Sequence, residues 1–303
     1  MSHIESQKLP TETLIADRYR VLRRLGRGGM GTVYEVEHVH VGRHFALKLM
    51  DKSAPPAFEA SLYHEAKLLG RLESEHVVKV IDCGRDEQHG SFLVVEKFHG
   101  GTLGELLALH GRVDWEQAVN ITLSLCVALA DVHRAGVVHR DLKPHNIGLT
   151  DRQFAVKLFD FGIASVVGEH AIDARLQGSG TLPYMAPELW NGASASTESD
   201  LFAVGCTLFE MLTGERPFDG KTAPLCEEGE ILQAFEDVAP DAKIPGWLMQ
   251  VVAKLLSRSP RNRFHGAAEL AAALRRSNAY AFRSTLGIDL EEMTVPRAAI
   301  AST

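Results

Sequence analysis

Hydrophobic and polar positions alternate along the first hundred residues and then change period. "YRVLRRLG" from Tyr19, "GTVYEVEHV" from Gly31, "RHFALKLM" from Arg43, "VVKVIDCG" from Val77 and "SFLVVEKF" from Ser91 set β-formers between glycine and polar breaks, which predicts five strands. One segment departs from this. Over Phe58–Leu72 the apolar residues Leu62, Leu68, Leu69 and Leu72 recur at helical spacing and predict a helix. Past Gly100-Gly101 the helical period takes over, with helices expected at Leu103–Leu109, Trp115–Ala135, Glu198–Leu212, Ile231–Asp237, Trp247–Leu256 and Ala267–Arg276. Between Val137 and Pro187 the pattern is loop-rich, with strand-like pieces at "IGL" and "VKLF". The polar opening, broken by Pro10, reads as a mobile leader (1–16). The segment 277–303 is a C-terminal tail with no assigned structure. The pattern implies a bilobal α+β chain over 17–276. Its small five-stranded antiparallel lobe (17–98) carries one main helix, and its larger helical lobe (102–276) follows a joint near Glu96–Gly101.

Composition narrows the classes. The 303 residues are 45% hydrophobic and 23% charged, an ordinary globular mixture long enough to bury its own core. A net charge of -7 speaks against a general nucleic-acid surface. Cys83, Cys126, Cys206 and Cys226 form no CxxC pair and read as reduced thiols. The opening "MSHIESQKLPTETL" lacks the basic-then-apolar order of a signal peptide, and the most apolar runs are too short and interrupted to span a bilayer. A cytoplasmic protein with no membrane span is expected.

Candidate chemistry begins at "LGRGGMGTVYEV". Glycine-rich loops let peptide N–H groups approach a phosphate closely, but a dinucleotide-binding GxGxxG opens a helix. Here Gly26, Gly28 and Gly31 lie between two strand-like runs, so the loop is the tip of a hairpin. Lys48, in the middle of the apolar strand "FALKLM", needs an anionic partner if it is buried, and Glu65 in the following helix is a candidate. The plainer alternative is a lysine on an exposed strand face.

Three further stretches follow in order: "VVHRDLKPHNIGL", "VKLFDFGIA" and "GTLPYMAPE". With these the chain resembles the protein kinase family, specifically bacterial, eukaryotic-like serine/threonine kinases, over roughly Tyr19 to Arg276. The resemblance implies a protein-kinase-like fold that transfers the γ-phosphoryl of ATP to serine or threonine hydroxyls of proteins, itself included. It places Gly26, Gly28 and Gly31 over the phosphates and Leu25, Val33, Ala46 and Val95 around the adenine, with backbone groups of Glu96 and Phe98 holding the base. It gives Lys48 the α- and β-phosphates, oriented by Glu65, and gives Asn146 and Asp160 a Mg2+ ion, with Mn2+ as a substitute. Asp141 takes or orients the acceptor hydroxyl and Lys143 neutralises the γ-phosphate. By the same resemblance His139 is a packed structural residue, Glu188 pairs with Arg263, Asp200 accepts backbone N–H groups of the catalytic loop, and Leu69, Val80, His139 and Phe161 link the lobes.

Gly148 departs from the family, which has a large apolar residue beneath the adenine at this place. An unfilled void there costs about 2–5 kcal/mol, so a pocket floor of unusual shape is expected, with Phe159 able to lean into it. Thr102 and His145 stand where families that prefer basic substrates carry acids, which argues against such a preference. In the loop after Asp160, Ser179 is the single credible phosphate acceptor for Arg140, because Ser165 and Thr181 have other places. Glu169 and Asp173 supply fixed charge there, and activity before loop phosphorylation is expected. Ser284, Thr285 and Thr294 are candidate autophosphorylation sites. Two alternatives stand beside the kinase reading: a pseudokinase scaffold that binds nucleotide without catalysis, and a small-molecule phosphotransferase on the same fold.

Overall fold

In the computed structural model, residues 9–28, 31–52, 56–98, 100–150, 155–161, 181–224 and 227–285 are described, the last nine of them as backbone only. The first lobe is one antiparallel sheet in the order β1-β2-β3-β4-β6-β5. Its strands are β1 (Leu14–Ile15), β2 (Tyr19–Gly28), β3 (Gly31–His38), β4 (Arg43–Met50), β5 (Val80–Asp86) and β6 (Gly90–Glu96). The sheet thus has a sixth strand that the sequence pattern did not predict. It also corrects the leader, because the last residues before Tyr19 are packed rather than mobile. Ile15 is buried against Tyr19, Val21 and Phe92, and the Ala16 N–H donates to Asp86 Oδ2 at 2.7 Å.

The two faces of this sheet separate by register. Tyr34, Val36, Phe45, Leu47, Leu49, Phe92 and Val94 close over one core. Directly paired residues share a face, so the Val33–Lys48 and Ala46–Val95 pairs put these four side chains together on the other face. Helix α1 (Pro56–Leu69) packs Leu62 and Ala66 against Met50 and Leu93.

The second lobe holds α2 (Leu103–His110), α3 (Trp115–Arg134), α4 (Pro187–Trp190), α5 (Thr197–Thr213), α6 (Glu228–Val238), α7 (Gly246–Leu255) and α8 (Ala267–Thr285). Helix α5 is its axis, buried along almost its whole length. It starts at a Ser196/Ser199 capping box and stops at Gly214, whose left-handed φ of 83° favours glycine. Helix α8 runs past Arg276 to Thr285, further than the periodic pattern reaches. A small hairpin of β7 (Ile147–Leu149) and β8 (Val156–Leu158) closes the lobe beneath the connector.

Candidate active site

The wall offered by the first lobe is set by β2, β3 and β4. Gly31 sits where a Cβ would come within 2.1 Å of the Leu49 carbonyl oxygen, so the hairpin can close onto β4 only with glycine there. Gly26 is different, since a Cβ would meet nothing within 4 Å. Its missing side chain leaves space on the open side of the hairpin. Gly28 pairs with Gly31 at the end of the hairpin.

Lys48, 19% exposed, bonds Asp160 and lies 3.7 Å from Glu65 Oε2. Burial works against the Lys48 ammonium, but the charges of Asp160 and Glu65 outweigh it and raise its pKa above the usual lysine range. Burial likewise favours the neutral form of Asp160, and the Lys48 charge prevails and keeps its pKa low. Glu65 is pushed up by burial against the pull of Lys48. The buried lysine therefore has two carboxylate partners. Glu65 is the candidate partner named from the sequence, whereas Asp160 lies closer and is 112 residues away in the chain.

The wall offered by the second lobe is the loop after α3. Asp141 is its centre. Thr181 Oγ1 donates to Asp141 Oδ1 at 2.8 Å, and Lys143 Nζ lies 3.1 and 3.0 Å from Oδ1 and Oδ2 and 2.9 Å from Thr181 Oγ1. Asn146 Nδ2 donates to the Asp141 carbonyl at 2.7 Å and to Oδ2 at 3.0 Å. With its nitrogen committed to Asp141, Asn146 has its amide oxygen left for a hard cation. That oxygen and the Asp160 carboxylate fit magnesium, which takes few protein oxygens and completes its shell with phosphate and water.

The loop is braced from below. Asp200 accepts the His139 N–H at 2.8 Å and the Arg140 N–H at 3.0 Å, and it bonds His133 Nε2 at 2.8 Å. His139 is fully buried, its ring 4.3 Å from that of Phe161 and its Nε2 3.2 Å from the Phe159 carbonyl oxygen. Leu69 and Phe161 share one core, with Val80 packed against it. Arg140 (φ 69°) and Asp160 (φ 57°) both adopt left-handed backbone, a conformation other residue types than glycine hold only when their surroundings fix it. Glu188 and Arg263 form a two-pronged pair, 2.7 Å on each side, with the Arg263 side chain fully buried. Ser165, Glu169, Asp173, Ser179 and Thr294 lie outside the described residues; Ser284 and Thr285 fall in the last turn of α8.

The connector was the least legible part. Glu96 accepts from Lys157 Nζ at 2.7 Å and from the Lys79 N–H at 2.9 Å, and Lys97 Nζ bonds Glu35 on β3 at 2.7 Å. The unusual shape expected at Gly148 comes from Phe98. A Cβ there would stand 2.6 Å from Cε2 and Cζ of Phe98, so the connector's own ring fills the space. Phe159 is its neighbour, ring centres 5.3 Å apart, rather than the filler.

A sheet that turns one buried cation toward a glycine-edged hairpin, facing a loop that gathers carboxylate, lysine and amide around one oxygen, is the architecture of the bilobal phosphotransferases. The chain belongs to the protein kinase family, whose domain, described as "Protein kinase domain", matches residues 19–273. Three of the similar curated relatives are bacterial. The chain is 33% identical over 301 residues to the probable serine/threonine-protein kinase PknB of Corynebacterium glutamicum, covering 92% of this chain and 45% of that one. It is 38% identical over 264 residues to the serine/threonine-protein kinase PknD of Mycobacterium tuberculosis, covering 84% and 39%. It is 32% identical over 268 residues to the serine/threonine-protein kinase PrkC of Bacillus subtilis, covering 86% and 40%. The chain thus spans less than half the length of these relatives. Among solved structures, the kinase domain of Mycobacterium tuberculosis PknI superimposes with a TM-score of 0.69 at 25% identity, over 89% of this chain and 99% of that one. Among the described residues no helix is long and apolar enough to cross a membrane.

Proposed function

We propose that residues 17–276 form a catalytic unit that binds ATP with Mg2+ between its lobes and transfers the γ-phosphoryl to serine or threonine hydroxyls of proteins, itself among them. The observation that carries this reading is the Asp141 cluster. A carboxylate there accepts from Thr181, touches Lys143 and is steadied by Asn146, so it is fixed in place. An acceptor hydroxyl set against Asp141 gives up its proton to that carboxylate as its oxygen bonds to the γ-phosphorus and the bond from that phosphorus to the β-phosphate oxygen breaks, releasing ADP. Lys143, 3.0 Å away, stands ready to neutralise the transferring group, and Lys48, kept charged by its two carboxylates, holds the remaining phosphates. Asn146 and Asp160 hold the metal, whose contribution is to shield phosphate charge. Phosphoryl transfer asks mainly for such positioning. Because ATP is the donor, we place the reaction in the cytoplasm.

A scaffold without catalysis is the weaker reading, because Lys48, Glu65, Asp141, Asn146 and Asp160 are all present. A small-molecule acceptor is disfavoured by the "APE" segment, anchored through Glu188 to buried Arg263. The test is incorporation of labelled phosphate from ATP into the chain and a generic protein substrate, with Mg2+ and with a chelator. Incorporation that needs the metal supports the proposal; none in either condition with intact nucleotide binding overturns it in favour of the scaffold.

A further inference from the structure

Phe98 and Gly148 are complementary in bulk. Gly148 on β7 carries no side chain, yet its φ is not in the left-handed region, so its backbone does not call for glycine. What calls for glycine is the ring of Phe98, 2.6 Å from where a Cβ would sit and 3.1 Å at Cδ2. Real side-chain contacts do not reach so short a separation. The main chain fixes the two against each other. Gly148 pairs with Thr102 on one side and Lys157 on the other, and the Leu149 N–H donates to the Gly101 carbonyl at 2.9 Å. Gly100 presses on the same strand, a Cβ there coming within 2.0 Å of the Leu149 carbonyl oxygen. The connector therefore cannot lift away from β7 to relieve a larger residue at 148. Phe159 packs beside the Phe98 ring, its plane tilted by 41°.

We propose that Phe98 is the floor of the base pocket: its ring, seated on Gly148 and braced by Phe159, supplies the apolar face beneath the purine, and Gly148 serves to admit it. This inference rests on the nucleotide reading above. The floor is then aromatic and borne by the connector that also faces the edge of the base. A flat π-face suits a purine better than an aliphatic side chain of similar size. Selectivity of this pocket depends on a pair of residues, neither of which has its effect without the other.

The test measures the Kd of Mg-ADP, which permits no turnover, by titration calorimetry on the full chain. Wild type is the control for the nucleotide reading: a chain that binds no ADP defeats that reading and this proposal with it, whereas a wild type that binds ADP leaves the variants to decide this proposal alone. Phe98→Ala removes the face and is expected to weaken ADP by roughly tenfold or more, in line with loss of one base–aromatic stack. Gly148→Leu forces the ring out and is expected to weaken ADP by a similar factor. The double variant Phe98→Ala with Gly148→Leu rebuilds a floor from β7, and its affinity is expected to return to within about threefold of wild type, a large departure from additivity. Should Phe98→Ala fail to unfold cooperatively on heating, Phe98→Leu takes its place and is expected to lose part of the affinity. Unchanged or tighter ADP binding on removal of the ring, or losses that simply add in the double variant, overturns the proposal.

Discussion

The two ends of this cleft, which we assign to the phosphates and to the base, are held by different physics. At the phosphate end the polar side chains are fixed by charge and hydrogen bonds, with Asp141 in contact with Thr181, Lys143 and Asn146, and Lys48 between Glu65 and Asp160. At the base end the contacts of the apolar side chains are volumes, Phe98 against Gly148, Phe98 against Phe159 and Ala46 beside Val95, while charge enters through the connector's Glu96 with Lys157 and Lys97 with Glu35. A charge in a dry site admits few substitutes, because an unpaired ion there is expensive and only certain atoms can pair it. A volume can be supplied from either side of a gap. The phosphate end should therefore fail at any single change of chemical type, while the base end should tolerate compensated changes.

The largest effect that would break this contrast is at Asp141. Asp141→Asn keeps the shape and removes the proton acceptor, so kcat for phosphoryl transfer is expected to fall by about 10²–10⁴-fold, with the ADP Kd little changed. Lys48→Met is expected to fail as well, and the double variant to be far less than the product of the two, because both act on one transition state. Single-turnover phosphate incorporation measures both. Near-normal turnover by Asp141→Asn would remove the chemical basis of the comparison.

A buried ion pair outside the cleft sharpens it. Arg263 is wholly buried and two-pronged on Glu188, with further bonds to the carbonyls of Ser257, Glu198 and Arg258. Glu188→Gln leaves the guanidinium without its counter-ion and is expected to cost about 3 kcal/mol of stability. Urea unfolding reads this directly. A cost near zero would show that the three carbonyls alone satisfy the cation.

The same contrast explains what could be read from the sequence. Lys48 stands out inside "FALKLM" because burying it demands a partner, and Asp141, Lys143 and Asn146 stand out because the chemistry fixes their types and spacing. The β-alternation of Tyr19–Glu96 and the helical periods that follow were legible for the ordinary reason that one face of each element is buried. Leu14–Ile15 was not, since two residues carry no period. Nor was the Phe98–Gly148 fit, because volume complementarity across fifty positions leaves no mark on either residue alone. Gly148 looked like a deletion of bulk, and only the fold brings Phe98 over it.

A smaller effect separates hydroxyl from volume at Thr181. Its Oγ1 donates to Asp141 and accepts from Lys143, so Thr181→Ser should keep turnover within about threefold and Thr181→Val should lower kcat by roughly tenfold, the cost of an unmade bond at a buried pair. Steady-state rates at saturating ATP distinguish the two. A loss in Thr181→Ser with near-normal turnover in Thr181→Val would mean that the methyl group, not the hydroxyl, matters here.

The smallest expected effect concerns the Lys97–Glu35 contact, which ties the connector beside Phe98 to the sheet. Burial pushes the Glu35 carboxyl up, but hydrogen bonds from Lys97 and His44 outweigh it, with the charges of Lys97 and Arg23 adding to them, and its pKa lies below the ordinary 4.5. A carboxylate whose folded pKa is depressed contributes stability that is complete above its unfolded pKa and is lost as the pH falls through the folded one. The stability advantage of wild type over Glu35→Gln should accordingly be full near neutrality, begin to shrink below about pH 4.5 and vanish at lower pH still. Chemical unfolding of both proteins across that range measures the difference. If volume alone governs the base end, the ADP affinity of Glu35→Gln at neutral pH stays within about twofold of wild type, because Phe98 is held by Gly148 and Phe159 rather than through Lys97. A substantial loss of affinity would instead make the Glu35–Lys97 pair part of what sets the ring in place, and the division between a charged end and an apolar end would have to be redrawn at the connector.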